Sequence, residues 1–295
     1  MVELQARAAE KDAGRKIKYF VQGDMQVSYG QFSALKITGG LKVNGETVHA
    51  NYLLRPGDLV SVTLPDSGTG KVVAAEDGPV SIVYEDDDLY IIDKSAPLAC
   101  QCTPRQPSGT LENRLHAHYA HVEGFTFRPL NRLDKGTSGL MAAAKHPHSC
   151  QLLQKQLHTP DFLREYLAVV EGVLEGEGVI NLPIAREQAA SVRRIIDHEN
   201  GLPAVTHYRA EATDGHRTLI RLRLETGRTH QIRVHLSALG HPICGDFLYG
   251  TELESLPGRF ALHSTLIRFR HPISGEIISI SSPLPAELKE LMRHE

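Results

Sequence analysis

The chain has 295 residues, 41% of them hydrophobic and 23% charged, with a formal net charge of −3. Such a composition suits a soluble globular protein of two domains or one large one, and it excludes a polycation. Any nucleic-acid partner must therefore be gripped by a local patch.

The first twenty residues, MVELQARAAEKDAGRKIKYF, hold no apolar signal core, and no stretch reaches the roughly 18 apolar residues of a membrane span. A cytoplasmic chain without a membrane partner is expected, monomeric by default. LKVNGETV (41–48) predicts a tight hairpin, because Asn44-Gly45 suits a type I′ turn. RPGDLVSVTL (55–64) predicts a turn and then an alternating strand. Residues 65–79, PDSGTGKVVAAEDGP, are rich in Pro, Gly and small side chains and predict a linker. That divides the chain into a first domain over 1–64 and a second over 80–295.

The second domain opens with SIVYEDDDLYIIDK (81–94), a predicted hairpin about a solvated acidic turn at Asp86, Asp87 and Asp88. Thr110 opens a predicted helix over 109–121. Its His116, His118 and His121 have no carboxylate at metal-ligand spacing, so they are read as surface histidines and no metal is expected. Cys100, Cys102, Cys150 and Cys244 form no paired CxxC framework and read as reduced thiols. A helix is predicted over 149–158 and a strand over 165–174.

Two stretches carry chemistry. NRLDKGTSGL (131–140) runs into the small, apolar LMAAAK, which suits a strand buried on both faces. Asp134 sits on the loop before that strand, where a carboxylate can act as nucleophile or base. The other stretch is RTLIRLRLETGRTHQIRVHLSALGHP (217–242). Its first part alternates, with Thr218, Ile220, Leu222 and Leu224 on one face and Arg217, Arg221 and Arg223 on the other. Thr229 is the expected N-cap of the helix that follows. Ile232, Leu236 and Leu239 bury that helix, and Gly240 and Pro242 end it. Arg233 flanks the buried stripe, and a guanidinium there calls for a carboxylate partner. Thirteen Arg and no Lys fall between residues 156 and 288. That usage favours a polyanion, since Arg binds phosphate through a planar fork.

RPLNRLDKGTSGL, REYLAVVEG and TGRTHQIRVHLSALGHPICGD together resemble the RluA-type family of pseudouridine synthases, in the family's order, over roughly residues 80–285. YEDDDLYIIDK, GTLENRL and HPISGE flank them. GGLKVNGETVHANYLLRPGDLVSV resembles the end of a small S4-type RNA-binding domain, with Lys36 and Lys42 among its expected contacts. The resemblance implies an α+β fold: a mixed, largely antiparallel sheet with flanking helices and a central cleft, plus the small N-terminal S4-like domain.

The implied activity is isomerisation of uridine to pseudouridine in structured ribosomal or transfer RNA, which needs no cofactor because the atoms are conserved. Asp134 matches the catalytic Asp, Tyr166 the active-site Tyr, and Arg233 the Arg that pairs with the Asp. Arg132 matches the Arg that fills the gap left by the flipped nucleotide. Leu133, Thr137, Arg228, His230 and Gln231 are expected to contact the substrate, while Arg217, Arg221 and Arg223 are expected to contact RNA further out. The family usually has His where this chain has Asn131. The alternatives are a catalytically silent RNA-binding protein on the same scaffold, which would lack the acid or its partner, and an unrelated hydrolase, which would need a second acid or a metal cluster.

Overall fold

The computed structural model describes residues 2–65, 71–157 and 159–293. The chain divides into two compact units. One comprises Met1–Lys71 with His146–Leu152; the other comprises Val72–Lys145 and Leu153–Glu295. Residues 66–70 of the expected linker and His158, at the end of an expected helix, lie outside the described residues. Among the described residues no helix is long and apolar enough to cross a membrane.

In the first unit, helices Ile17–Gly23 and Tyr29–Thr38 cover an antiparallel sheet ordered Val2–Arg7, Leu59–Leu64, Leu41–Val43, Glu46–Thr47. Ser28 caps the second helix by accepting from the Gln31 N–H, and Gln31 bonds back, a reciprocal box that fixes the helix start. Asn44 and Gly45 take φ of +52° and +88°, the left-handed pair a tight hairpin requires. Ile17, Phe20, Phe32 and Leu35 from the helices and Leu41, Val60 and Val62 from the strands form the core.

The second unit is built on one long sheet. Its order is Glu177–Asn181, Val205–Thr213, Arg217–Leu224, Leu163–Glu171, Leu262–Arg270, Ser138–Ala144, Leu89–Lys94, Ile82–Glu85. All of these pairings are antiparallel except Leu262–Arg270 with Ser138–Ala144, which is parallel. The architecture is α+β, with a mixed and largely antiparallel sheet. Ser138–Ala144 is buried throughout, because it lies between neighbours on both edges and is covered on both faces. Thr110 caps the helix Leu111–His118 through the Asn113 N–H. At the acidic turn, Asp86 Oδ1 accepts from the N–H groups of Asp88 and Leu89, and His271 Nε2 lies 3.1 Å from Asp86 Oδ2. Cys100 and Cys244 are buried free thiols.

The Leu262–Arg270 strand positions the site. Its Ser264 pairs with Gly139 on one side and with Tyr166 on the other. Gly139 has φ +104°, and a Cβ there would stand 2.3 Å from the Ser264 carbonyl oxygen. Only a residue without a side chain lets the two backbones meet so closely. The strand that follows Asp134 and the strand that carries Tyr166 are thus locked at a fixed distance.

Candidate active site

The loop from Asn131 to Thr137 leaves the short strand Arg128–Pro129 and enters the buried strand Ser138–Ala144. Two backbone hydrogen bonds and one thiol contact hold it. Leu98 N–H donates to the Lys135 carbonyl at 2.9 Å, Thr137 N–H donates to the Asp134 carbonyl at 3.1 Å, and Cys100 Sγ lies 3.0 Å from the Leu133 carbonyl oxygen. Beneath the loop, Lys94 is 1% exposed and its ammonium donates to the carbonyls of Ser95 and Leu98. Burial pushes the Lys94 ammonium down to about 8, against the pull of Cys100 and Asp134. Asn131 is buried, and its Oδ1 accepts from the Ala142 N–H at 3.0 Å.

Arg233 comes from the helix Gln231–Ala238 and reaches Asp134, with Nη1 3.1 Å from Oδ2. The same guanidinium makes a closer, bidentate pair with Asp246, at 2.7 and 2.8 Å. Asp246 is completely buried, and its Oδ1 also accepts from the N–H groups of Leu248 and Tyr249. Rings of Phe260 and Tyr249 lie 4.2 and 4.9 Å from the guanidinium carbon. Burial disfavours the charged form of Arg233, but the hydrogen bonds and charge of Asp246, and then Asp134, outweigh it and hold the group above its ordinary value. The sequence asked for one carboxylate near Arg233, and the structure supplies two. Nothing in the spacing marked Asp246, although it lies inside the last quoted motif.

His230 was not expected to begin the helix, yet it does, with a left-handed φ of +58°. Thr229 does not cap. Gln231 instead ties down the loop before the helix: its Oε1 accepts from the Thr226 hydroxyl and the Arg228 N–H, and its Nε2 donates to the Val205 carbonyl and Thr206. His230 Nδ1 lies 2.8 Å from the Tyr249 hydroxyl, which already accepts from the Arg194 N–H, and Nε2 lies 3.9 Å from Asp134. Burial pushes the His230 imidazole down and the Asp134 charge pulls it partly back, so the ring is neutral near pH 7.

Tyr166 projects from Leu163–Glu171 and is 5% exposed. Burial raises its phenol above the ordinary value, with Arg164 opposing and Asp134 adding to the rise. Every residue expected at a catalytic or substrate position lines one pocket of about 380 Å³: Asp134, Tyr166 and Arg233, with Arg132, Leu133, Thr137, Arg228, His230 and Gln231. It continues into a depression of about 1590 Å³. Arg132 and Arg228 are exposed at the rim, whereas both ends of the Gln231 amide are held by protein.

The arginine stripe is elsewhere. Register pairs Leu222 with Tyr166, Arg223 with Glu165 and Arg221 with Leu167. Residues opposite one another share a face, so Arg217, Arg221 and Arg223 point away from the face that carries Tyr166. Arg221 pairs with Glu165 and Glu211, and Arg217 with Glu171, while Arg223 is exposed. Lys36 and Lys42 are exposed in the first unit.

The sequence profile of the RNA pseudouridylate synthase family matches residues 88–238. An uncharacterized RNA pseudouridine synthase of Bacillus subtilis, YjbO, is 37% identical over 92% of this chain and 97% of its own length. The ribosomal large subunit pseudouridine synthase D of Xanthomonas campestris is 35% identical over 98% of this chain and 91% of its own. Among solved structures, human RNA pseudouridylate synthase domain containing 1 superposes with a TM-score of 0.56 at 27% identity, over 70% of this chain and 86% of that one. The profile spans the aspartate loop, the tyrosine strand and the arginine of the helix, whose side chains meet at the pocket. By that match and by relatives alike over nearly its whole length, the chain belongs to the RNA pseudouridine synthases of RluA type, which isomerise uridine in RNA to pseudouridine.

Proposed function

We propose that Asp134 performs the sugar chemistry of this isomerisation, that Arg233 keeps its carboxylate oriented, and that Tyr166 holds the detached uracil. The observation that supports this is the 3.1 Å contact between Arg233 and Asp134 in the pocket that Tyr166 lines. A uridine inside an RNA helix cannot reach that carboxylate. It must turn out of the stack, at a cost of a few kcal/mol. Arg132, exposed two residues before Asp134, is the side chain to fill the gap.

The N1–C1′ bond breaks, the uracil rotates, C5 bonds to C1′, and the C5 proton leaves while N1 gains one. Asp134 either bonds to C1′ or takes a proton from the sugar. In both cases its negative charge is consumed. Burial first, and the Asp134 charge to a lesser degree, hold the Tyr166 proton in place. The C5 proton leaves only after C5 has bonded to C1′, by which point Asp134 has given back the sugar carbon or its proton; the buried Tyr166, still carrying its own proton, holds the uracil rather than taking that of C5. Leu133, Leu224 and Leu262 line the pocket and exclude water from the free base.

The names of several relatives favour large-subunit ribosomal RNA as substrate over transfer RNA. The first unit is read as the S4-like RNA-binding module, with exposed Lys36 and Lys42 as phosphate contacts and Arg223 as an outlying one. Incubating the protein with large-subunit ribosomal RNA labelled with tritium at uridine C5 tests the reading. Tritium release and pseudouridine are expected from the wild type. Asp134→Asn abolishes both while RNA affinity stays within about tenfold, 1.4 kcal/mol. Turnover by that variant refutes the assignment.

A further inference from the structure

The strand that carries Tyr166 brings a second side chain to the cleft. Arg164 lies two residues earlier, so both side chains leave the same face. Glu165, between them, turns the other way and pairs with Arg221. Arg164 is 4% exposed, and although its guanidinium carbon lies 5.8 Å from the centre of the Phe162 ring, the protein gives it few hydrogen-bond acceptors. Nη2 donates one long hydrogen bond, 3.4 Å, to the Leu157 carbonyl, and Nε has no partner. Among the described residues no carboxylate oxygen comes within 4.0 Å of it. A guanidinium offers five N–H donors, and burying its charge without an acid is strongly disfavoured.

Its surroundings name the missing partner. Arg164 lines the broad depression beside Tyr166, with Arg132 and Arg228 in the same lining. At Gly227 a Cβ would stand 3.3 Å from Arg164 Nη1, so the loop that leads to Arg228 approaches the guanidinium across a position with no side chain. The same lining contains another unsatisfied donor: Asn131 is 6% exposed, and its Nδ2 has no partner. Buried donors without an acceptor, under a rim of two further arginines, complement an anionic oxygen group. We infer that Arg164 binds a backbone phosphodiester of the RNA beside the everted uridine. The inference rests on the RNA-modifying reading of the site and adds a positioning residue to it.

The test is Arg164→Gln in the full chain, with RNA affinity measured across salt concentrations and with separate kcat and KM. Removing one phosphate-binding cation lowers the slope of log Kd against log salt by about 0.7–0.9. KM should rise about tenfold, the effect of one missing charged hydrogen-bonding group, with kcat within about twofold by the same reasoning. An unchanged slope and KM overturns the inference. So does an unchanged KM with the alkaline limb of kcat moved to higher pH, which would make Arg164 a tuner of Tyr166. Should Arg164→Gln fail to fold, Arg164→Lys decides. It keeps the slope and loses affinity severalfold if phosphate is the partner, and it binds as wild type if not. A wild type that makes no pseudouridine defeats the reading of the site, while the salt slope still reports on phosphate binding.

Discussion

Arg233 carries two carboxylates on one guanidinium, and they serve different ends. Asp246, fully buried, takes the bidentate geometry and fixes the ring-lined pocket of the guanidinium, which leaves Nη1 to reach Asp134 at the cleft. Asp246→Ala should therefore cost about 3–5 kcal/mol in urea unfolding, since it strands a buried cation, and turnover should fall because Arg233 loses its anchor. A stability change below 1 kcal/mol, about the worth of a surface pair, refutes the anchoring role. Tyr166→Leu removes the proposed stacking platform and should lower kcat/KM by about 10–100-fold, the worth of one base–aromatic stack. Asp134 and Arg233 were legible in the sequence because an isolated acid before a buried strand and a guanidinium beside an apolar stripe each demand explanation. Asp246 and Arg164 were not. Their meaning depends on which side chains lie across from them, and spacing along the chain carries no record of that.

At the level of elements, alternation along Arg217–Leu224 was read correctly, but the face that looks at the cleft was not legible. That depends on the pairing of Leu222 with Tyr166, a register between strands far apart in sequence. The helix start went astray for a related reason. Thr229 is a good capping residue by type, but the loop is held instead by Gln231, whose amide bonds four groups including Thr206 on a neighbouring strand. Gln231→Ala should cost about 1–3 kcal/mol, the penalty for leaving buried polar groups unsatisfied. It should also loosen the loop that presents Arg228. Urea unfolding unaltered by the substitution removes Gln231 from that role.

For the whole molecule, the buried strand after Asp134 and the hairpins at Asn44-Gly45 and Asp86–Asp88 were legible because an apolar run and local turn chemistry set them, whereas the α+β class came from the family resemblance. The strand order was not, since it follows from long-range pairing. Stability should depend on pH through three imidazoles, His235 and His263 buried and His230 partly so. Burial pushes His230, His235 and His263 below 6.5, so the folded state binds fewer protons than the unfolded state as pH falls below that value. Their contribution is complete above 6.5 and is lost as pH drops toward the folded values. Unfolding at pH 6 should take up protons, which calorimetry in buffers of different ionisation heat measures directly; proton release there contradicts the assignment. In the first unit, replacing Lys36 and Lys42 together by Ala should lower the salt slope of RNA binding by about 0.7–0.9 for each phosphate those lysines neutralise.

The place of Leu262–Arg270 between the strands of Asp134 and Tyr166 bears on the order of events during synthesis. A nascent chain holds all three of the proposed reacting groups once Arg233 has left the ribosome, yet a slot stands empty between two of them. Closing it requires a segment more than a hundred residues beyond Asp134, a slow, long-range step. Chains that stop before this strand should therefore lack isomerase activity, and catalytic competence arrives only once Leu262–Arg270 has been made.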